Sequence, residues 1–311
     1  MSNGNQPLVS IVIATHNYGQ YIEQAVESVI KQTFTDWELV IIDDGSTDNT
    51  KENLSSLLKD KRITYFWQEN LGQPKAKNRG IQLAKGEFIA FLDADDAWLP
   101  EKLEKQLPVF DKDLEIGITY TGLQIMNENG QLGEIRQCKK LKGNVFKESL
   151  YQTIPPFSST IVRKTVLKEV GLFNEHIPLA IDFELWLRVS MRYQFNYIDE
   201  PLLFYRTGHA NLSKRYKERR KIVINYILPH VLNDCGGRKL LTSKETSEAY
   251  ARLFAGMGAD ELIFSSRSSI FYYSKAIVSA PWLISGWRGL LRACMPNPIV
   301  HFIKKGIVLW R

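Results

Sequence analysis

The chain has 311 residues, 44% hydrophobic and 24% charged, which is the composition of a folded protein with a substantial core and excludes a disordered one. Its net charge of +6 is unevenly placed: after Glu261 there is no acidic residue, while Arg267, Lys275, Arg288, Arg292, Lys304, Lys305 and Arg311 supply seven positive charges. Taking those seven from +6 leaves −1 for residues 1–261, so the main body carries no basic surface of the kind nucleic acid requires.

The first residues, Met-Ser-Asn-Gly-Asn-Gln-Pro, show neither the basic nor the apolar region of a secretory signal. Residues 9–14 form a continuous apolar run of strand length, and residues 39–42, 63–67 and 88–92 supply three more. Between them, Tyr21, Ile22, Ala25, Val26, Val29 and Ile30 share one helical stripe, as do Leu54, Leu57 and Leu58. Pro100 suits the first turn of a further helix. This alternation predicts an α/β fold with a mostly parallel central sheet covered on both faces.

The style then changes. Residues 123–136 read as a hairpin around Asn129-Gly130, residues 157–162 as a strand, residues 182–192 as a helix and residues 202–205 as a short strand. From Lys214 onward the pattern is helical and basic, which predicts a body over residues 1–212 and a basic helical extension over 213–311. No run approaches the ~18 apolar residues of a membrane span. Cys138, Cys235 and Cys294 are far apart and are expected as buried small hydrophobes in a reducing, cytoplasmic setting.

Several strands run into residues that carry chemistry. The run from Phe88 ends in Asp93-Ala94-Asp95-Asp96, and extended geometry would aim Asp93 and Asp95 to one side. Paired carboxylates at the carboxyl edge of an open sheet suit Mg²⁺ or Mn²⁺ together with substrate phosphate, although an acid loop could also cap the next helix. A carboxylate in Asp43-Asp44-Gly45-Ser46 could accept the imide N–H of uracil, or the segment could be a plain turn with Ser46 or Thr47 capping a helix. Thr15-His16-Asn17 follows the first strand in the same way, so three strand ends would converge. Lys75, Lys77 and Arg79 follow Asn70-Leu71-Gly72 into a helix, a place to meet a diphosphate.

Together these segments resemble the inverting family 2 glycosyltransferases, which have the GT-A fold. The matching words are residues 9–17, Gln32-Thr33-Phe34, residues 43–48, and the run from Gly80 through Ala84-Lys85-Gly86-Glu87 to Asp96; the resemblance covers residues 7–209. It implies a nucleotide-binding half over about residues 7–100 and an acceptor half over about 101–212. Asp44 would then meet the base, with Ala14, Thr15, His16 and Asn17 lining the same pocket. Asp93 and Asp95 would form the D-x-D, Asp95 being the direct ligand of a divalent cation, Mn²⁺ or Mg²⁺, and Asp93 also facing the nucleotide. Lys77 stands where the family often has Arg, so the resemblance leaves open whether Lys77 or Arg79 meets the phosphates.

The resemblance places a general base at Asp182, within Ile181-Asp182-Phe183-Glu184-Leu185-Trp186, where Ile181 replaces the usual acid; Asp182 could equally cap its helix. Tyr205-Arg206-Thr207-Gly208-His209 resembles an element whose histidine reaches the metal, here with Gly208 inserted. The implied activity is transfer of a hexosyl or N-acetylhexosaminyl group from a nucleotide diphosphate sugar to a glycan or lipid-linked hydroxyl, in bacterial-type cell-surface polysaccharide or glycolipid synthesis. UDP is taken first, with GDP and dTDP left open.

A haloacid dehalogenase-like phosphatase would also place Asp93 and Asp95 after an apolar strand, but on its first strand and followed by Thr or Val; here Asp96-Ala97-Trp98 follows several strand–helix units. A catalytically inactive carbohydrate-binding scaffold would not need Asp44, Asp93, Asp95 and Asp182 all intact. The acid-free extension, with Trp282, Trp287 and Trp310 among cations, suits an anionic membrane surface on the inner face of the plasma membrane; a helical lid packed on the body is the alternative.

Overall fold

The computed structural model describes residues 6–136, 138–151, 155–208, 215–262 and 265–294. Its contacts divide the chain into two compact units, Met1–Lys214 and Arg215–Arg311.

In the first unit, β1 (Val9–Thr15) lies between β2 (Trp37–Asp44) and β4 (Phe88–Phe91), with β3 (Ile63–Gln68) outside β2, and all four strands are parallel. The apolar runs of β1, β2 and β4 reflect burial on both faces, whereas β3 at the sheet edge leaves Thr64 and Trp67 exposed. Ile11, Ile13, Leu39 and Ile41 pack with Ile22, Ala25 and Val26 of α1 (Gly19–Ile30), while Val40 and Ile42 pack with Ala76 of α3 (Gln73–Leu83) on the other side. α3 sits so close that a Cβ on its Gly80 would lie 2.4 Å from Val12 Cγ1.

The sheet continues with β8 (Ile161–Arg163) antiparallel to β4, then β6 (Ile116–Met126), β9 (Gln194–Arg206) and the two-residue β5 (Ala97–Trp98), while β7 (Leu132–Arg136) pairs with β6 as the expected hairpin. Among the described residues the result is a mixed sheet of nine strands whose parallel character belongs to β1–β4 and the β6–β9 pair. β9 is far longer than the short strand expected. Its register with β6 shifts beside Pro201, and such a bulge accommodates a residue without an N–H.

Residues 157–159, expected to be extended, instead form a 3₁₀ turn. Hydroxyls supply the reason: Ser159 Oγ donates to the Pro156 carbonyl and Thr160 Oγ1 to that of Phe157, each at 2.7 Å, so the backbone is satisfied locally. The stripe of Leu54, Leu57 and Leu58 is divided between α2 (Thr50–Leu54) and a 3₁₀ turn, and Pro100 precedes α4 (Lys102–Gln106) instead of opening it. α5 (Val109–Lys112), α6 (Phe146–Ser149), α7 (Lys164–Val170) and α8 (Ile181–Ser190) complete the unit.

The second unit is helical. α9 (Tyr216–Ile222) leads into two π-helical turns and then α10 (Ser243–Glu261), opened by a capping box in which Thr242 and Glu245 exchange hydrogen bonds of 3.2 and 2.9 Å. α11 (Ser266–Ser279) and α12 (Ile284–Cys294) follow. The cysteines depart from expectation: Cys138 and Cys235 are half-buried, and Cys294, ending α12 away from its packed face, is exposed. Among the described residues, no helix is long and apolar enough to cross a membrane.

Candidate active site

The parallel order places the carboxyl ends of β1, β2 and β4 side by side. Past β1, Asn17 adopts a left-handed backbone (φ 58°) and knits this loop to the one after β2. Its amide oxygen accepts the Thr47 N–H at 2.8 Å, and its N–H donates to Ser46 Oγ at 2.9 Å. Ser46 and Thr47 are thus committed to Asn17 and not to a helix cap. Asp48 accepts from Gly19 N at 2.9 Å and from Thr50 N and Oγ1 at 3.1 and 2.5 Å, tying the start of α1 to that of α2.

Asp44 is buried at the end of β2 and accepts from Gln68 Nε2 (2.6 Å), Leu71 N (2.9 Å) and Gly72 N (2.8 Å). A carboxylate has about four acceptor positions. The three bonds here hold the end of β3 and the approach to α3. His16 Nδ1 lies 2.8 Å from the Asp44 carbonyl; a carbonyl only accepts, so this nitrogen carries the proton and Nε2 accepts from the side-chain amides of Asn17 and Asn70. Ala14 is half-buried, and Thr15 Oγ1 is buried with no hydrogen-bond partner among the described residues.

After Phe91 the extended geometry stops. Asp96 N donates to Asp93 O at 3.1 Å, so residues 93–96 form a turn and not the continued strand that would aim Asp93 and Asp95 together. The turn is held from two sides. Ser158 Oγ accepts the Asp93 N–H (3.0 Å) and donates to Asp96 (2.5 Å), while Arg206 donates through its main-chain N to Asp96 (2.9 Å) and through Nε to the Asp95 carbonyl (2.7 Å). The Arg206 guanidinium also reaches the carbonyls of Asn127 and Glu128, both at 3.1 Å, and the Gln24 side chain, and it lies 4.6 Å over the Tyr21 ring.

Burial, and then the negative charges of Asp95 and Asp93, hold the Asp96 carboxyl well above its ordinary range. The same causes, in the same order, push the Tyr18 hydroxyl upward. Several hard oxygen donors are therefore crowded at one turn. They fit a divalent ion that takes further ligands from a phosphate, although no three acid, histidine or cysteine side chains form a ready-made cage among the described residues. His209 lies outside the described residues.

Of the cations on α3, Lys75 is solvated but Lys77 is buried, its Nζ 3.0 Å from Asp93 Oδ1 and 3.4 Å over the Phe157 ring. Arg79 turns toward β3, donating to Gln68 Oε1 at 3.0 Å, so it braces the residue that holds Asp44. Lys77 is the cation of α3 that the structure brings to the carboxylate turn.

Asp182 stands half-buried in the first turn of α8, and the cap position falls on Ala180, which has φ 60° and ψ 32°. Asn17 and Ala180 are the two non-glycine residues with positive φ among the described residues. A left-handed residue with a Cβ costs about 1–2 kcal/mol, and such strain gathers at functional sites. α8 is anchored by Trp186, whose ring lies 6.1 Å from that of Phe91 at the end of β4, and by Arg188, which is paired within the helix with the fully buried Glu184 at 2.7 Å and donates to the carbonyls of Gly171 (3.0 Å) and Leu172 (2.6 Å). Asn78 of α3 exchanges two 2.9 Å bonds with the Phe173 backbone and so ties α3 to the segment leading into α8. Sequence reasoning passed over Ser158, Gln68 and Tyr18, and it noted Arg206 only as part of an element centred on His209.

Residues 10–171 match the profile of the family described as glycosyl transferase family 2. An uncharacterized glycosyltransferase of Rickettsia felis is 35% identical over 226 residues, covering 73% of this chain and 37% of that longer protein. S. aureus TarS 1-349 in complex with UDP-GlcNAc superposes with a TM-score of 0.68 at 19% identity, covering 88% of this chain and 81% of that one. The mannosyltransferase PcManGT of Pyrobaculum calidifontis, in complex with GDP-Man and Mn²⁺, gives 0.56 at 15% identity over 98% and 81%. At these identities the two structures speak for the fold, a GT-A-like one.

Proposed function

The chain belongs to glycosyl transferase family 2, and from that premise we propose that it moves a sugar from a nucleotide diphosphate donor, UDP-linked first, to an acceptor hydroxyl with inversion. The observation that carries this reading is the turn of residues 93–96: acids braced from two sides beside the stitched loops of β1 and β2, on a strand whose end packs against the helix of Asp182.

The base would lie against the loop of residues 14–17, with the remaining acceptor position of Asp44 meeting an imide N–H. Asp93 and Asp95, and His209 if it reaches them, would hold Mn²⁺ or Mg²⁺, which supplies counter-charge for the departing diphosphate. Lys77, itself buried, adds a positive charge next to Asp93, and Arg79 braces the pocket through Gln68. Asp182 takes the proton of the acceptor hydroxyl, which is a poor nucleophile until it loses it. A single displacement from the face opposite the leaving group needs no second carboxylate as a covalent nucleophile.

UDP-GlcNAc in TarS and GDP-Man in PcManGT support a hexosyl or N-acetylhexosaminyl donor. The acceptor is a glycan or lipid-linked chain of a cell-surface polysaccharide or glycolipid. Residues 1–212 act as the catalytic body, and the basic residues 213–311 rest on the anionic inner face of the plasma membrane. The test is Asp182→Asn. Thermal stabilisation by a nucleotide sugar with Mn²⁺ should persist while turnover falls roughly 10²–10⁴-fold. Near-normal turnover would reduce Asp182 to a structural residue and remove the proposed mechanism.

A further inference from the structure

Helix α12 packs with its small residues and shows its large ones. At about 100° per residue, Gly286, Gly289 and Ala293 fall in one narrow arc and are buried, while Ile284, Trp287 and Leu291 fall in the opposite arc, 63%, 48% and 65% exposed. The packed side has no room for more: a Cβ on Gly289 would lie 1.8 Å from Tyr273 Cε1, and one on Gly286 would lie 3.0 Å from Ile277 Cγ1. The packed side therefore turns the apolar stripe outward, and burial among the described residues of the unit does not explain it.

We propose that this stripe of α12 is the element that enters an anionic lipid surface. The inference rests on the reading of the C-terminal unit as membrane-facing and names the residues that do it. Charge selects the occupant. Arg288 and Arg292 line one edge of the stripe, and no acidic residue occurs anywhere from position 262 onward. Trp287 presents an amphipathic ring of the kind that settles at a water–lipid boundary. A short helix with an apolar stripe, an indole and adjoining arginines lies in the plane of an anionic interface.

The experiment uses the full chain, sedimented with vesicles of phosphatidylcholine alone or mixed with phosphatidylglycerol, at low and high salt. Binding is expected to the mixed vesicles at low salt and to fall with added salt. Arg288→Gln/Arg292→Gln should weaken the partition roughly fivefold for each arginine, and Trp287→Ser/Leu291→Ser should weaken it roughly tenfold or more, with unchanged unfolding temperatures. An intact chain that stays in the supernatant overturns the membrane reading and this inference together. An intact chain that binds, with serine variants binding equally well, leaves that reading standing and overturns only the assignment to α12. A marked fall in the unfolding temperature of the serine variant would mean that the stripe is buried against the chain itself, and that result also overturns it.

Discussion

Replacing Arg206 by alanine removes one side chain that joins four segments of the first unit. Its guanidinium donates to the carbonyls of Asp95, Asn127 and Glu128 and to the Gln24 side chain, and it is 2% exposed. A hydrogen bond to a charged group contributes about 1.5–3 kcal/mol, so a simple sum would reach about 6–12 kcal/mol. That sum overshoots. The four bonds share one desolvated cation, and water entering the space left behind serves some of the freed carbonyls. A loss of about 3–5 kcal/mol remains, which for a unit of some 200 residues lowers the unfolding temperature by roughly 10 °C. Displacing the Asp95 backbone by an ångström should also cost turnover on the order of 10²-fold. Thermal unfolding followed by circular dichroism, paired with a transfer assay, measures both effects. Arg206→Lys keeps the charge without the planar fork and should recover only a minor part of either. If Arg206→Ala unfolds within about 1 kcal/mol of the parent and turns over normally, Ser158 and β4 alone hold the carboxylate turn and the reasoning fails.

Asp95→Asn should leave the unfolding temperature unchanged while abolishing both Mn²⁺-dependent stabilisation by a nucleotide diphosphate and transfer; full transfer in excess chelator would remove the ion from the reading. At Asp48, burial raises the carboxyl, but the Thr50 hydroxyl and the Gly19 and Thr50 amides outweigh it and hold it below its ordinary value. A lowered folded value means stability that is present above the ordinary value, about pH 4, and lost as pH falls toward the folded one. Asp48→Asn should therefore flatten the fall of the denaturation midpoint below about pH 4, and an equally steep fall in both proteins would show that this loop pairing carries none of the acid sensitivity.

The parts of the fold legible in the sequence are those whose periodicity reflects burial. β1, β2 and β4 are covered on both faces and read as uninterrupted apolar runs, and the stripe of Ile22, Ala25, Val26 and Val29 records the single buried face of α1. β9 was harder to read because Asp199, Glu200 and Pro201 interrupt its pattern at the bulge. The 3₁₀ turn at residues 157–159 escaped because apolar residues next to serines resemble a strand until the hydroxyls are seen to bond backward. At the candidate site, the acids that end strands stood out by position, since three acids within four residues after a buried run are conspicuous. Lys77 was named with Lys75 and Arg79 but could not be told apart from them, because its burial depends on Asp93 and Phe157, partners that helical spacing cannot reveal. Ser158 carries no local signal, and it matters only through what the chain has folded onto it.

The reach of Arg206 also sets an order of assembly. It meets the Asp95 carbonyl across 111 positions of sequence and Gln24 across 182. Chains fold from the N-terminal end as they are made, and distant contacts form after local ones. Strands β1–β4 and their covering helices can therefore gather on a nascent chain long before residue 206 emerges. Until it does, the acids of the turn crowd together without the guanidinium that pins their backbone, and the chemistry has no fixed stage. A chain cut or stalled short of β9 therefore holds the acids of the turn without the bonds that fix their backbone, so the geometry of the turn is completed late.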